Sequence, residues 1–141
     1  MVNVVITGAY GRMGKSLIEA CQKDKGLSLI GGTVKPEVDI SVPYHQGSSQ
    51  VPLAHSLYKF PDVDVVIDFT RPNVTLDNIT ACVELKKAIV IGTTGLKDEE
   101  FDVVRKAATE IPILHAPNTS LGVNLWYPIL KQLAASLDDS W

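Results

Sequence analysis

The sequence is poor in several features that would narrow its function at once. It has only two cysteines, Cys21 and Cys82, without the spacing of a metal site. We therefore expect two buried thiols in a reducing compartment, with a disulfide as the alternative. The formal net charge is -3 and no basic stripe is present, which argues against a nucleic-acid-binding surface.

Long apolar runs and a secretory leader are also missing. No stretch approaches the about 20 apolar residues of a membrane span, so we expect a cytoplasmic protein without a membrane partner. Apolar residues make up 45% and charged residues 21% of the 141-residue chain. This composition is typical of one globular domain with a sizeable core.

The first segment of the chain combines an apolar strand, a glycine turn and the start of a helix. Its glycines, Gly8, Gly11 and Gly14, follow the spacing Gly-x-x-Gly-x-x-Gly rather than the commoner Gly-x-Gly-x-x-Gly. One glycine supplies the angles of the turn, a second admits a pyrophosphate, and the third lets helix and strand pack closely. The segment predicts a dinucleotide phosphate site at a helix N-terminus, with a plain strand–turn–helix connection as the alternative.

Strands and helices alternate along the rest of the chain, which predicts an α/β fold with a doubly wound, mostly parallel, Rossmann-type sheet. Thr70 should cap the second long helix, with Pro72 in its first turn, and Val74 and Ala108 should face inward. Pro128 should bend or break the last helix. After the first helix, the predicted elements are a strand over 27–34, a loop over 35–50, a weak helix over 51–60, a strand over 64–69, a helix over 72–86, a strand over 88–91, a helix over 98–109, a strand over 111–115 and a helix from 120 or 122 towards 136.

Polar turns follow four of the predicted strands. A parallel sheet brings such turns to one edge, where ligands of doubly wound folds bind. We therefore expect a single cleft there. The turns are residues 8–14, 70–72, 92–95 and 116–120.

The sequence position that selects between NAD and NADP carries an unusual residue. A carboxylate for the ribose of NAD is expected about 20 residues beyond the glycines, where this chain has Val34 and Lys35. Lys35, with Arg12, would instead meet the 2′-phosphate of NADPH. Alternatively, Lys35 is only a loop lysine and Glu37 or Asp39 bonds the ribose, so NADH stays open.

Four motifs, in order along the whole chain, resemble one family. They resemble the N-terminal nucleotide-binding domain of 4-hydroxy-tetrahydrodipicolinate reductase (dihydrodipicolinate reductase), of lysine and diaminopimelate biosynthesis. The resemblance implies a cytoplasmic, usually homotetrameric oxidoreductase that passes hydride from NADPH or NADH to a cyclic dicarboxylate. The motifs are Gly8-Ala9-Tyr10-Gly11-Arg12-Met13-Gly14, Asp68-Phe69-Thr70, Gly92-Thr93-Thr94-Gly95 and Ala116-Pro117-Asn118-Thr119-Ser120-Leu121-Gly122-Val123-Asn124.

The resemblance also implies which residues bind the cofactor. Residues 8–13 would hold the pyrophosphate and adenosine side, and residues 92–94 and 116–119 would line the nicotinamide. As alternatives, Asn118 and Ser120 only cap the last helix, and the two threonines of the third motif only finish a strand. The cofactor-binding set is Gly8, Ala9, Tyr10, Gly11, Arg12, Met13, Lys35, Gly92, Thr93, Thr94, Ala116, Pro117, Asn118 and Thr119.

Four further polar residues are expected to be structural or exposed rather than functional. Asp68 should be a strand-end carboxylate satisfied by nearby N–H groups rather than a catalytic acid. His45, His55 and His115 form no cluster, so no metal is expected. No catalytic residue is assigned within these 141 residues.

The chain departs from the family's pattern after the last helix. The family continues with a substrate domain that carries a His-His-x-x-x-Lys run for proton donation and a Ser-Gly-Thr turn for the substrate carboxylates, and neither motif occurs here. We assign residues 1–120 to the dinucleotide-binding domain and 121–141 to a helix towards a missing substrate domain. The piece should bind dinucleotide without turnover.

One prediction of a partner and two alternative functions remain from the sequence. An exposed Trp126 on the last helix should favour a dimer of this piece. The alternative to a reductase is a stand-alone nucleotide-sensing module, in which the same pocket regulates a partner. A third hypothesis is a doubly wound enzyme fragment that binds another adenosine ligand, such as S-adenosylmethionine.

Overall fold

The computed structural model describes residues 1–46 and 49–137, which fold around a six-stranded sheet. With strands numbered along the chain, the sheet order is β5 (Leu53–Ala54), β2 (Leu27–Thr33), β1 (Val2–Thr7), β6 (Val65–Asp68), β7 (Ala88–Ile91) and β8 (Ile113–His115). The helices are α1 (Arg12–Lys23), α2 (Pro72–Leu85), α3 (Asp98–Ala107) and α4 (Leu121–Ala135), with a 3-10 turn at Leu57–Lys59. A separate antiparallel hairpin pairs β3 (Tyr44–Gln46) with β4 (Ser49–Val51).

Every pair of neighbouring strands in the large sheet is parallel. The chain starts at the centre with β1, moves outward through β2 to β5, and returns to the other side of β1 for β6, β7 and β8. This order confirms the doubly wound prediction. The direction of winding reverses between β1 and β6, which is where ligands of such folds bind.

Alternating side chains of β1 explain why the sheet is covered on both faces. Val4 and Ile6 pack in one cluster with Ile18 of α1, whereas Val5 packs in another with Ile79 of α2. All five side chains are buried. Burial of each contributes about 1.5–3 kcal/mol, so helices on both faces are held by the same strand.

The beginning of α2 differs from the prediction in one respect. Pro72 occupies the first turn, as predicted. Arg71 is the N-cap residue and makes no side-chain cap, and the Thr70 hydroxyl donates instead to Asp68 at 2.7 Å. The predicted threonine cap is therefore wrong, because a buried carboxylate attracts the hydroxyl more strongly than the backbone N–H groups of the helix.

Two side chains predicted to face inward are exposed. Val74 lies beside Thr75, and Thr75 takes the buried position on α2. Ala108 follows the end of α3, whose buried positions are Val104 and Ala107. Both predictions assigned one residue too many to the apolar stripe of a helix.

The predicted loop over 35–50 contains the β3–β4 hairpin, and the predicted weak helix over 51–60 is β5 and a 3-10 turn. The hairpin packs beside the glycine turn. The ring of Tyr44 meets Tyr10 edge-on at a centroid distance of 4.6 Å, and Gln46 donates to Glu19 of α1 at 2.6 Å. These contacts come from distant parts of the chain, which explains why local sequence did not predict the hairpin.

Helix α4 has no buried residue along its whole length. The sequence predicted that Pro128 would bend or break this helix. The helix continues through Pro128, so the predicted break is wrong. Proline has a φ angle compatible with a helix and removes only one backbone donor here, the one that would bind Asn124. Trp126 is 60% exposed, which confirms the predicted exposure.

Candidate functional site

The turns that follow the strands meet at the carboxyl edge of the sheet. This follows from the parallel pairing of β2, β1, β6, β7 and β8. Backbone hydrogen bonds connect three of the four turns to a neighbouring strand, which confirms the predicted convergence. These bonds run from Ala9 N to Thr33 O (2.9 Å), from Gly92 N to Asp68 O (2.8 Å) and from Ala116 N to Ile91 O (2.9 Å).

The glycine turn has the geometry of a phosphate cradle. Gly8 has a φ of 69°, a left-handed angle that favours glycine. A Cβ on Gly14 would lie 2.2 Å from the carbonyl oxygen of Gly8, so only glycine lets α1 approach β1 this closely. Gly11 is the N-cap of α1 and provides no side-chain cap. The first N–H groups of α1 have no partner within the helix, and an anion suits this position.

The other predicted residues of the adenosine side differ in exposure. Ala9 is fully buried, so its side chain is closed to a ligand, whereas Tyr10, Arg12 and Met13 are exposed. The structure thus places three side chains of this group where a ligand can reach them.

Lys35 is exposed two residues beyond β2. Its ammonium lies 3.8 Å from the carboxylate of Glu37, in a pair whose side chains are 67% and 70% exposed. Such surface pairs contribute little, so Glu37 does not hold the lysine in place. The carboxylate of Asp39 accepts from Ser41 N at 2.8 Å, and hydrogen bonds from Ser41 lower the pKa of Asp39.

The turns after β7 and β8 combine buried and exposed positions. Gly92 and Thr93 are buried, whereas Thr94 is exposed. Asn118 and its two neighbours in the predicted set, Pro117 and Thr119, are exposed as well, and Ala116 is half-buried.

Hydrogen bonds at the start of α4 match the alternative of helix capping. The Ser120 hydroxyl accepts from Val123 N at 3.4 Å, and the Asn118 side chain accepts from Ser120 N at 2.9 Å. The Asn124 side chain donates to the carbonyl oxygens of Asn118 and Ser120 at 3.1 and 2.9 Å. The turn after β8 is therefore ordered by its own side chains.

Asp68 is the centre of a buried hydrogen-bond cluster behind these turns. The residue is 0% exposed at the end of β6. The sequence predicted that N–H groups would satisfy its carboxylate, but hydroxyl groups provide most of the bonds. Its donors are Thr7 (2.5 Å), Thr70 (2.7 Å) and Asn78 (3.2 Å) to Oδ1, and Thr75 (2.5 Å) and Thr93 (3.1 Å) to Oδ2.

Sequence reasoning missed this cluster because its members are separated by up to 86 positions in the chain, from Thr7 to Thr93. A signal was nevertheless present. Thr7 ends one predicted central strand, Asp68 ends the next, and Thr93 follows the third, so the parallel fold brings their side chains to one edge.

The cluster also affects Cys82, a buried thiol on α2. Burial, and then the negative charge of Asp68, raise the pKa of Cys82 from 9.0 to about 12. The second cysteine, Cys21, is also free and buried, as predicted, and burial raises its pKa as well.

Two negative findings concern only residues 1–46 and 49–137. Within them, no group of three or more His, Cys, Asp or Glu side chains could hold a metal ion. His115 packs edge-on against Phe101 at a centroid distance of 5.2 Å. Within the same residues, no helix is both long and apolar enough to cross a membrane.

The family of this chain follows from its sequence. Residues 2–119 match the family model described as dihydrodipicolinate reductase, N-terminus. The chain belongs to this family. Proteins named 4-hydroxy-tetrahydrodipicolinate reductase from Colwellia psychrerythraea (strain 34H) and Chromohalobacter salexigens are 38% and 41% identical to it, over 98% and 99% of its length. It spans about half of these relatives, 53% and 54%.

Solved structures agree with this assignment. A dipicolinate-bound dihydrodipicolinate reductase from Paenisporosarcina sp. TG-14 is similar with a TM-score of 0.73 and 25% identity, over 89% of this chain and 50% of that chain. A homoserine dehydrogenase from S. aureus, at 14% identity and a TM-score of 0.65 over 81% of this chain and 32% of that chain, shares the fold alone. The names of the relatives favour a reductase segment over a stand-alone nucleotide-sensing module.

Proposed function

We propose that residues 1–141 are the NAD(P)H-binding part of a cytoplasmic 4-hydroxy-tetrahydrodipicolinate reductase, an enzyme of lysine and diaminopimelate biosynthesis. The observation that carries this proposal is the uncapped N-terminus of α1 beside the Gly8 turn, at the edge where the other polar turns meet. When bound there, the nicotinamide dinucleotide supplies the hydride that reduces a cyclic dicarboxylate.

In this proposal, the two ends of the dinucleotide contact different turns. The backbone of residues 8–13 binds the pyrophosphate and the adenosine side, because the glycines leave the main-chain N–H groups accessible. Arg12 and Lys35 bind the 2′-phosphate, and the turns after β7 and β8 line the nicotinamide. The nicotinamide residues are Gly92, Thr93, Thr94, Ala116, Pro117, Asn118 and Thr119.

Dinucleotide binding and proton donation belong to different parts of the proposed enzyme. We assign residues 1–120 to dinucleotide binding and 121–141 to a helix that leads towards a substrate domain. Proton donation and recognition of the substrate carboxylates would belong to a part of the relatives' length that this chain does not span. The 141 residues alone should therefore not oxidise NADPH when substrate is added, and substrate-dependent oxidation in a reductase assay would refute this division.

NADPH is the proposed cofactor, because a lysine stands where an NAD site has a carboxylate. Lys35→Ala should weaken NADPH binding about tenfold and leave NADH binding unchanged, since a charge-assisted hydrogen bond contributes about 1.5–3 kcal/mol and less when solvated. Lys25→Ala is a matched control: Lys25 is exposed just before β2, at the opposite edge of the sheet.

Fluorescence titration with NADPH, NADH and S-adenosylmethionine at low salt measures all three affinities. If NADPH binds no better than NADH and Lys35→Ala changes neither, the 2′-phosphate assignment is wrong. If S-adenosylmethionine binds in preference to both dinucleotides, the proposed cofactor class is wrong.

We also propose how this segment assembles. The apolar side chains of α4 are exposed on this segment, so two copies of it should associate through α4. The homotetramer proposed for the full-length enzyme rests on the family resemblance and not on α4. The exposed apolar residues of α4 are Leu121, Val123, Leu125, Trp126, Tyr127, Ile129, Leu130 and Leu133.

A further inference from the structure

We propose that Asp68 is a positioning residue that fixes the nicotinamide turn relative to the glycine turn. The inference rests on the dinucleotide site proposed above and concerns a residue that would not touch the dinucleotide itself. Asp68 is fully buried behind both turns, and its two carboxylate oxygens bind different parts of the sheet edge.

The first oxygen holds the side of the glycine turn. Oδ1 of Asp68 accepts from the hydroxyl of Thr7 at 2.5 Å, and Thr7 directly precedes Gly8. The same oxygen accepts from Thr70 at 2.7 Å. The methyl group of Thr70 lies against Gly8, 3.0 Å from where a Cβ would be. Two hydroxyl groups thus connect Oδ1 to the start of the phosphate cradle.

The second oxygen holds the nicotinamide turn. Oδ2 accepts from the hydroxyls of Thr75 at 2.5 Å and of Thr93 at 3.1 Å. The Thr93 hydroxyl also accepts from the backbone N–H of Thr70 at 2.9 Å, and its oxygen lies 2.9 Å from the hydroxyl oxygen of Thr75. Thr93 is only 3% exposed, so its side chain lies in the protein interior. The turn can therefore reach a dinucleotide through its backbone and through Thr94.

The chemistry of the cluster requires a carboxylate rather than an amide. Both oxygens of an ionised aspartate only accept hydrogen bonds, and here each receives at least two donors. An asparagine would replace one oxygen with an NH₂ group that faces hydroxyl donors. One of the two turns would then lose its connection.

Thr75 provides a test that leaves the proposed contact residues intact. Thr75→Val removes the hydroxyl with little change of shape, and Thr75→Ser keeps the hydroxyl. Thr80→Val is the control on the same helix, because the exposed Thr80 hydroxyl donates only to the backbone oxygen of Leu76. The ligands are NADPH and adenosine 2′,5′-bisphosphate, which lacks the nicotinamide half. Dissociation constants are measured by calorimetry, with the unfolding temperature of each variant.

Thr75→Val should weaken NADPH binding about threefold to tenfold, a part of what one hydrogen bond to a carboxylate contributes, and leave the bisphosphate unaffected. Thr75→Ser should restore the NADPH affinity, and Thr80→Val should change neither ligand. If Thr75→Val does not fold, Thr75→Ala removes the same hydroxyl, with the same expectation.

Two outcomes overturn the proposal and one separates it from the function it rests on. Unchanged NADPH affinity in the folded variant overturns it. An equal loss for both ligands also overturns it, because that loss reports general destabilisation rather than positioning. If the unsubstituted chain binds neither ligand, the proposed dinucleotide site fails and this role fails with it.

Discussion

The ring of Phe69 lies directly against the main chain of Gly92. A Cβ on Gly92 would lie 2.1 Å from two carbons of that ring. Phe69 follows β6 and Gly92 follows the neighbouring strand β7, so the aromatic ring covers the point where the two strands end. Packing alone therefore requires glycine at this position of the proposed nicotinamide turn.

Gly92→Ala should lower the free energy of unfolding by about 1–3 kcal/mol, because the added methyl group overpacks the ring. Phe69→Ala in the same chain should remove this penalty, so the two effects in urea denaturation should not add. Gly95→Ala is the control. Gly95 has a φ of 82° and open space around it. Gly95→Ala should therefore lower the free energy of unfolding by about 1–2 kcal/mol whether or not Phe69 is present. Additive effects of Gly92→Ala and Phe69→Ala would contradict the contact.

Two helical glycines should respond in opposite directions to alanine. Gly14→Ala places a methyl group against the carbonyl oxygen of Gly8, a backbone atom that cannot rotate away, so we expect a loss of about 3 kcal/mol and weaker NADPH binding. Gly122→Ala in α4 meets only Ser120, at 3.9 Å, and should stabilise that helix by about 0.5–1 kcal/mol. Thermal unfolding followed by circular dichroism measures both. A Gly14→Ala variant as stable as the parent chain would contradict the close packing of α1.

The buried thiol of Cys82 should make the protein less stable in alkali. Its pKa is about 12 in the folded protein against 9.0 ordinarily, so above pH 9 the unfolded chain releases a proton that the folded chain retains. The unfolded state then binds fewer protons, and the free energy of unfolding falls as pH rises. Between about pH 8 and about pH 10 the parent chain should lose about 1.4 kcal/mol more than Cys82→Ala. Urea denaturation at the two pH values tests this, and parallel losses would disprove it.

The proposed dimer through α4 should depend on the apolar side chains of that helix. Leu125 and Ile129 are both exposed and lie one turn apart. Leu125→Glu with Ile129→Glu should give a monomer in light scattering, whereas the parent chain should give a dimer. Val103→Glu, on an exposed apolar residue of α3, should leave the dimer intact. A monomeric parent chain would rule out the dimer.

Much of the fold could be predicted because its signals are local. The strand at Ala88–Ile91 has the predicted bounds, and the strands at Leu27–Thr33, Val65–Asp68 and Ile113–His115 lie within two residues of theirs, since each is a short apolar run between turn residues. The two-residue strand Leu53–Ala54 was not predicted. The β3–β4 hairpin was missed because its strands have three residues each, too few for an alternating pattern, and because Tyr44 and Gln46 are held by α1 and the glycine turn.

The site was predictable to a different degree. The convergence of the turns follows from strand order alone, so it could be inferred without coordinates. The partners of Asp68 could not, because a hydroxyl can bond a local backbone group or a distant carboxylate, and only packing decides between them. Thr70 is the clearest case: its hydroxyl was assigned to the helix start and binds Asp68 instead.

The two outer strands of the large sheet are unusually short. Leu53–Ala54 at one border and Ile113–His115 at the other offer two and three residues for pairing with a further chain. So small a row of open backbone groups is a poor template for strand addition and for amyloid-like stacking. Aggregation of this chain in concentrated solution should therefore occur through the exposed side chains of its helices. Dyes that bind cross-β fibrils should show no increase in fluorescence.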